Sequence, residues 1–181
     1  MNYIVLDLEA TCKENDRNFP NETIEIGAVK LDKDFNKVSV YNVFIKPILN
    51  PVLTQFCKDL TTITQADIDK AELFPEVIED FKRWVGVGSE EYILCSWGHY
   101  DRAQLARDCK LHRLPSGWTD RHISLKHQFG FIRNERPCGM AKALRKLDIP
   151  LTGTHHRGID DAENIAKIFI AYKDKWDFKL C

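Results

Sequence analysis

The chain has 181 residues, a length typical of one domain and sufficient to bury a core without disulfides or a structural metal. Hydrophobic residues make up 44% and charged residues 29%, which argues against disorder or a fibrous repeat. The longest uncharged stretch, 47–57, is too short and too polar to cross a bilayer. We therefore expect a single domain over 1–181 with no membrane contact.

The first ten residues and the cysteines bear on where the protein works. Residues 1–10 contain Asp7 and Glu9 but no basic residue, which excludes a secretory signal peptide. The six cysteines are scattered and form no Cys-x-x-Cys pair. This spacing predicts reduced thiols, not a zinc site or a disulfide framework, and a cytoplasmic location.

The formal net charge is −1, but the charges are unevenly distributed. Residues 1–90 carry 10 Lys/Arg and 16 Asp/Glu, whereas residues 102–146 carry 11 and 3. The overall balance excludes a protein that coats DNA through its general charge. The basic segment fits either a local track for a nucleic-acid backbone or a set of solvated helix faces.

Hydrophobic periodicity predicts an α/β fold. In chain order the predicted elements are three strands (3–8, 23–31, 37–45), three helices (53–60, 64–70, 75–85), a strand (91–97), a helix (100–111), a last strand (118–125) and two helices (139–147, 159–176). This order indicates a mixed five-stranded sheet flanked by helices. Its first three strands are expected to be antiparallel and its later strands parallel.

Asp7 and Glu9 are two apart on the first predicted strand, so both side chains point to one face. A buried charge is costly without a partner, and a bound Mg²⁺ or Mn²⁺ would provide one. The alternative is a solvated pair where the strand leaves the core.

Three further residues are candidates for chemistry. Asp101 lies where the fourth predicted strand gives way to a helix, a position that fits either a site or a carboxylate favoured by the helix dipole. His156 precedes the final helix and Asp161 lies in its first turns, where an imidazole could act as a general base. We interpret His155 as a loop histidine and Asp160 as a carboxylate exposed to water.

Taken together, these segments bring four carboxylates and one histidine to strand ends and a helix start. Four carboxylates can hold two divalent ions about 3.5–4 Å apart, an arrangement that stabilises the attacking and leaving oxygens of phosphoryl transfer.

The Asp7-Leu8-Glu9 motif, Asp101 and the five-residue spacing from His156 to Asp161 resemble the DEDD 3′–5′ exonucleases whose last motif carries histidine. Within that superfamily the chain resembles the Eri-type branch, named for enhanced RNA interference, and in particular the single nuclease domain of bacterial relatives. The resemblance extends over six segments, 7–12, 24–28, 56–61, 96–98, 136–139 and 156–162.

The resemblance implies a ribonuclease-H-like fold and metal-dependent hydrolysis of single-stranded 3′ ends, releasing nucleoside 5′-monophosphates. RNA is the expected substrate. Two divalent ions, Mg²⁺ or Mn²⁺, are implied at Asp7, Glu9, Asp101 and Asp161, with His156 as general base. Two alternatives stay open: a DNA-directed exonuclease or proofreading subunit, and a nucleic-acid-binding module without catalysis.

The resemblance also implies substrate contacts. These are the backbone of Ala10 and Thr11 at the terminal sugar, and Phe56, Leu60 and Tyr100 at the terminal base. An aromatic face stacks on any base without reading sequence. The chain departs from the family at Thr62, where relatives often have glycine, and at Tyr100, where relatives have tryptophan.

Overall fold

A computed structural model describes residues 1–16 and 18–180, and within them shows a six-stranded mixed sheet packed between α-helices. The strand order is β4-β3-β2-β1-β5-β6, with β1, β2 and β3 antiparallel and β5 and β6 added parallel to β1. The strands are β1 (Asn2–Ala10), β2 (Thr23–Leu31), β3 (Lys37–Lys46), β4 (Glu72–Leu73), β5 (Tyr92–Ser96) and β6 (His122–Ser124).

Seven α-helices cover the two faces of the sheet in the described residues: α1 (Gln55–Thr61), α2 (Gln65–Asp69), α3 (Phe74–Val85), α4 (Tyr100–Leu111), α5 (Leu125–Ile132), α6 (Met140–Lys146) and α7 (Gly158–Ala171). Two of these helices begin at threonines that cap the first turn. The Thr54 hydroxyl accepts from the Cys57 N–H to cap α1, and Thr64 forms a capping box with Asp67 to start α2.

Strand alternation in β1 divides the core into two layers. Ile4, Leu6 and Leu8 pack with α3 and α4 on one face, whereas Tyr3 and Val5 pack with α5, α6 and α7 on the other. Because side chains alternate, Asp7 and Glu9 continue the α7 face of this strand. A third, smaller cluster around Cys57 lies beneath α1 and α2.

The structure confirms the mixed α/β sheet and differs from the prediction at four places, of which three concern the sheet and α5 and the fourth the end of α7. The two-residue strand β4 adds a sixth member at the edge, paired with the end of β3. The predicted strand 118–125 is reduced to His122–Ser124, because Gly117–Thr119 forms a 3₁₀ turn and Leu125 begins α5. Helix α5 was not predicted, since its buried Leu125 overlaps the short apolar run that also suits a strand.

The last helix ends at Ala171, earlier than predicted, because the chain folds back on itself. The Trp176 indole N–H donates to the carbonyl of Phe169 at 2.8 Å, and the two rings stack. The segment after α7 therefore docks on the domain through Trp176 and Phe178, whose ring lies 4.9 Å from that of Tyr3.

Thr62 ends α1 in a conformation that favours glycine. Its φ is 61°, in the left-handed region, and its N–H donates to the carbonyl of Lys58 at 2.9 Å. The turn that a glycine would form is thus kept, with an exposed threonine in its place.

In the described part of the chain no helix is both long and apolar enough to cross a membrane. No disulfide joins the cysteines of residues 1–16 and 18–180, and the sixth cysteine, Cys181, lies outside them.

Candidate active site

Asp7 and Glu9 lie at the carboxyl end of the central strand of the sheet. Asp7 is opposite Gly27 and Glu9 is opposite Glu25 on β2, and a bulge follows between Glu9 and Ala10. Glu9 is only 8% exposed. The strand therefore presents two carboxylates, on one face, at the point where regular pairing ends.

Asp101 is held against β1 from the edge opposite to β2, where β5 leads into α4. It lies in the first turn of α4 and is buried, and its Oδ1 accepts a hydrogen bond from the N–H of Leu8 at 3.2 Å. Since Leu8 separates Asp7 from Glu9, this bond brings a third carboxylate to the β1 pair.

Asp161 supplies a fourth carboxylate from the first turn of α7, and two neighbouring histidines surround it. Its Oδ2 accepts from the backbone N–H of His156 at 3.0 Å and lies 2.9 Å from Nδ1 of His155. The two imidazoles stack with centroids 4.1 Å apart. His155, interpreted from sequence as a loop histidine, therefore contacts a predicted metal ligand.

These side chains line one open pocket of about 300 Å³. The pocket brings together six of the ten predicted site residues, namely Asp7, Glu9, Tyr100, Asp101, His156 and Asp161. Ala10, Thr11, Phe56 and Leu60 lie outside its lining. Leu8, Trp97, Gly139, Met140, His155 and Ile165 complete the wall.

Burial and mutual repulsion raise the pKa of the β1 carboxyls. Burial is the larger cause for both residues. The pKa of Glu9 rises to about 8, and the charges of Glu25 and Asp161 add to the effect of burial. The pKa of Asp7 rises well above its usual range, and Asp101 is its strongest charged neighbour. Burial also raises the pKa of Asp101 to about 6, against the hydrogen bonds from Ser96 and Leu8. Such a cluster lacks a compensating positive charge.

A divalent cation fits this cluster. One ligand oxygen each from Asp7, Glu9 and Asp161 lies within 4.8 Å of the others, and hard oxygen ligands suit Mg²⁺ or Mn²⁺. Asp101 lies outside this group of three but adjoins it through Leu8. The cluster is therefore a candidate acidic metal site.

His156 is suited to accept a proton near neutral pH. Burial first, and then the neighbouring His155, lower the pKa of its imidazole, so the ring is neutral at pH 7. The backbone of His156 has φ 64°, an unusual conformation held by the bond from its N–H to Asp161.

The remaining predicted substrate residues lie outside the pocket lining, at the end of β1 and on α1. Thr11 is buried, and its hydroxyl accepts from the N–H of Glu22. Its own N–H donates to the carbonyl of Glu22 at 2.8 Å, and its carbonyl accepts from the side chain of Asn21. Phe56 and Leu60 are partly exposed, 38% and 36%, and lie one helical turn apart on α1. The Thr54 hydroxyl donates to the carbonyl of Cys12 at 2.6 Å, which ties α1 to the end of β1.

Several pocket residues were not predicted as site components, among them Trp97, Met140 and His155. The indole N–H of Trp97 donates to the carbonyl of Cys138 at 2.9 Å, so the 96–98 and 136–139 segments of the family resemblance meet at the pocket wall. Asp160 is half-buried, accepts from the N–H of Thr154 at 2.8 Å and lies outside the pocket lining.

The basic segment 102–146 is partly neutralised by its own neighbours. Arg102 pairs with Asp120 at 2.7 Å, while Arg133 and Lys146 both pair with Glu135. Exposed pairs of this kind contribute little stability and leave the cations accessible. The segment therefore fits a solvated surface and a backbone track equally well.

Comparison with known proteins places this site in a family. The Exonuclease family model matches residues 4–169. The 3′-5′ exoribonuclease 1 of Mus musculus is 31% identical over 176 residues, covering 92% of this chain and 51% of that protein. ERI1 exoribonuclease 3 of Bos taurus is 30% identical over 182 residues, covering 94% and 54%. This chain thus spans about half the length of these relatives.

Solved structures agree with the sequence relatives. The nuclease domain of 3′hExo, described as a DEDDh family member bound to rAMP, superposes with a TM-score of 0.89 at 28% identity and covers 96% of this chain and 92% of that one. Exonuclease I superposes with a TM-score of 0.77 at 12% identity, covering 96% of this chain and 41% of that one, which shows a shared fold. The family match covers nearly the whole domain and includes every carboxylate of the pocket, so the chain belongs to the Exonuclease family.

Proposed function

We propose that this domain is a metal-dependent 3′–5′ exonuclease that removes nucleoside 5′-monophosphates from single-stranded RNA. The observation that carries the proposal is the pocket in which carboxylates from β1, α4 and α7 converge beside a neutral histidine. The names of the relatives support RNA as the substrate, since the protein from Mus musculus is a 3′-5′ exoribonuclease.

In this proposal Asp7, Glu9, Asp101 and Asp161 hold two divalent ions, Mg²⁺ or Mn²⁺. Such ions supply the positive charge that stabilises attacking and leaving oxygens in phosphodiester hydrolysis. His156 accepts the proton of the attacking water, a role for which its lowered pKa fits. A cytoplasmic location fits the scattered thiols.

The substrate end is oriented by residues around the pocket. The backbone at Ala10 and Thr11 meets the terminal sugar, and Phe56, Leu60 and Tyr100 hold the terminal base. Tyr100 is half exposed at the start of α4, next to Asp101, and lines the pocket, with the guanidinium of Arg107 5.6 Å from its ring centre. Stacking on such a face tolerates any base.

A time course on 5′-labelled single-stranded RNA and matched DNA, with Mg²⁺, Mn²⁺ or EDTA, tests the proposal. A ladder that shortens from the 3′ end only when metal is present is the expected result, with RNA shortened faster than DNA. Asp161→Asn is the matched control and should leave the oligomers intact. Faster loss of DNA would favour the DNA-directed alternative, and binding without shortening would favour a binding module.

A further inference from the structure

Glu25 is a fully buried carboxylate on β2 whose partners all belong to the start of α7. Its Oε1 lies 3.2 Å from Nη2 of Arg157, and its Oε2 lies 3.3 Å from Nε of the same side chain. Oε2 also accepts from the N–H of Gly158 at 2.9 Å. A buried carboxylate with these partners acts as an anion at a helix N-terminus, which stabilises the helix start.

The backbone of α7 meets β2 at the same point. A Cβ on Gly27 would overlap the backbone of Gly158 and Ile159, so the strand and the helix touch without a side chain between them. The guanidinium of Arg157 lies 5.3 Å from the centre of the Phe44 ring, on β3. The helix start is therefore fixed to the sheet by an ion pair, a hydrogen bond and a direct backbone contact.

This fixed point is one residue from His156 and four from Asp161. The carbonyl of Arg157 accepts from the N–H of Asp161 at 2.9 Å, and the N–H of His156 donates to the Asp161 carboxylate. A displacement of Arg157 would therefore move both residues relative to Asp7 and Glu9.

We propose that Glu25 is a positioning residue, which holds Asp161 and His156 in register with the β1 carboxylates through Arg157 and Gly158. This inference rests on the proposed exonuclease function. Glu25 is not itself a further ligand, because both of its oxygens are engaged by Arg157 and Gly158.

Glu25→Gln tests the proposal, because it keeps the shape of the side chain and removes its charge. Glu163→Gln is the matched control: Glu163 also joins α7 to the sheet, through an ion pair with Lys37, but this pair is exposed. We expect Glu25→Gln to lower kcat roughly 10–100-fold, the range for groups that orient ligands, with little change in KM. Glu163→Gln should match the wild type.

A double mutant separates positioning from general stability. If Glu25 acts through His156, adding Glu25→Gln to His156→Ala should lower kcat much less than it does in the wild type. Equal losses in both backgrounds would overturn the part of the proposal that concerns His156, and wild-type kcat in Glu25→Gln alone would overturn all of it. Should Glu25→Gln fail to fold, Arg157→Lys can replace it in the same kinetic comparison. Lysine keeps the positive charge but cannot form the bidentate contact with Glu25.

Mn²⁺ titration calorimetry gives a readout that does not need activity. Because Asp161 is displaced, Glu25→Gln should raise the Kd for Mn²⁺ several-fold, whereas Glu163→Gln should not. An unchanged Kd would contradict the positioning role, whether or not the wild type is active. Absence of exonuclease activity in the wild type would by itself refute only the proposed function.

Discussion

The imidazoles of His155 and His156 stack at 4.1 Å, and it is the ring of His155 whose Nδ1 contacts Asp161. His156 reaches Asp161 through its backbone, which leaves its ring for another task. Both imidazoles line the pocket, and the ring of His155 is the one in contact with the carboxylate.

His156→Ala should lower kcat by roughly 10²–10⁴, the usual range for loss of a general base. Mn²⁺ affinity should survive, since the backbone bond to Asp161 remains. Single-turnover kinetics with calorimetry measures both quantities. His155→Ala is the comparison: if it abolishes turnover while His156→Ala does not, the base is His155.

Asp101→Asn should weaken metal binding and turnover together. The amide oxygen can still accept from the N–H of Leu8, so the fold is kept while a charge is lost from the cluster. We expect the Mn²⁺ concentration for half-maximal activity to rise about tenfold or more. Asp120→Asn, which breaks an exposed pair with Arg102, is the control. Normal activity at low metal would remove Asp101 from the ligand set.

Phe56→Ala should raise KM more than it lowers kcat, because a stacked terminal base is lost. The expected loss is about 1–3 kcal/mol of binding free energy. Phe131→Ala, which truncates an aromatic ring that is 88% exposed on α5, should leave KM unchanged. Steady-state kinetics on single-stranded RNA distinguishes them, and equal effects of the two variants would argue against a role for Phe56 at the terminal base.

The metal-free protein should lose stability as pH rises from about 5 to 8. The folded-state pKa of Glu9 is about 8, against an ordinary value of 4.5, so the folded state binds more protons than the unfolded state across that interval. Stability therefore falls with rising pH until Glu9 is ionised in both states.

Thermal unfolding in EDTA at several pH values measures this trend. Mn²⁺ should raise the Tm more at pH 8 than at pH 6, because the ionised carboxylates bind it. Glu9→Gln should flatten the dependence in EDTA. A Tm that rises with pH in the metal-free wild type would contradict the raised pKa.

Thr62→Gly should stabilise the protein. A threonine in the left-handed region destabilises the folded state by roughly 1–2 kcal/mol, and glycine removes this strain. Glycine also loses more chain entropy on folding, which offsets roughly 0.5–1 kcal/mol of the gain. Because Thr62 is exposed, no packing is lost. Urea denaturation should show a higher midpoint, with Thr64→Gly, which removes the α2 cap, as a destabilised contrast.

Sequence periodicity predicted the sheet because β1, β2 and β3 alternate clearly and are rich in β-branched residues. It failed at α5, where Leu125 and Phe129 are buried one turn apart in a segment too short to separate helix from strand. It also missed β4, because two residues are too few to show a hydrophobic alternation.

The carboxylates were predictable because Asp7 and Glu9 end an apolar strand, while Asp101 and Asp161 lie where helices begin. The role of His155 was not, since the sequence offers two adjacent histidines and only the turn at φ 64° decides which ring meets Asp161. Glu25 could be seen as a charge in an apolar strand, but its partner Arg157 lies 132 residues away. Contacts of that separation leave no local pattern.

The four carboxylates come from the first strand, the middle of the chain and the last long helix. When β1, β2 and β3 have emerged from the ribosome, the three longest strands of the described sheet are present but only two of the four carboxylates. The set is completed when residue 161 has emerged and α7 has docked on β1 and β2. Until then the nascent chain lacks the complete acidic cluster.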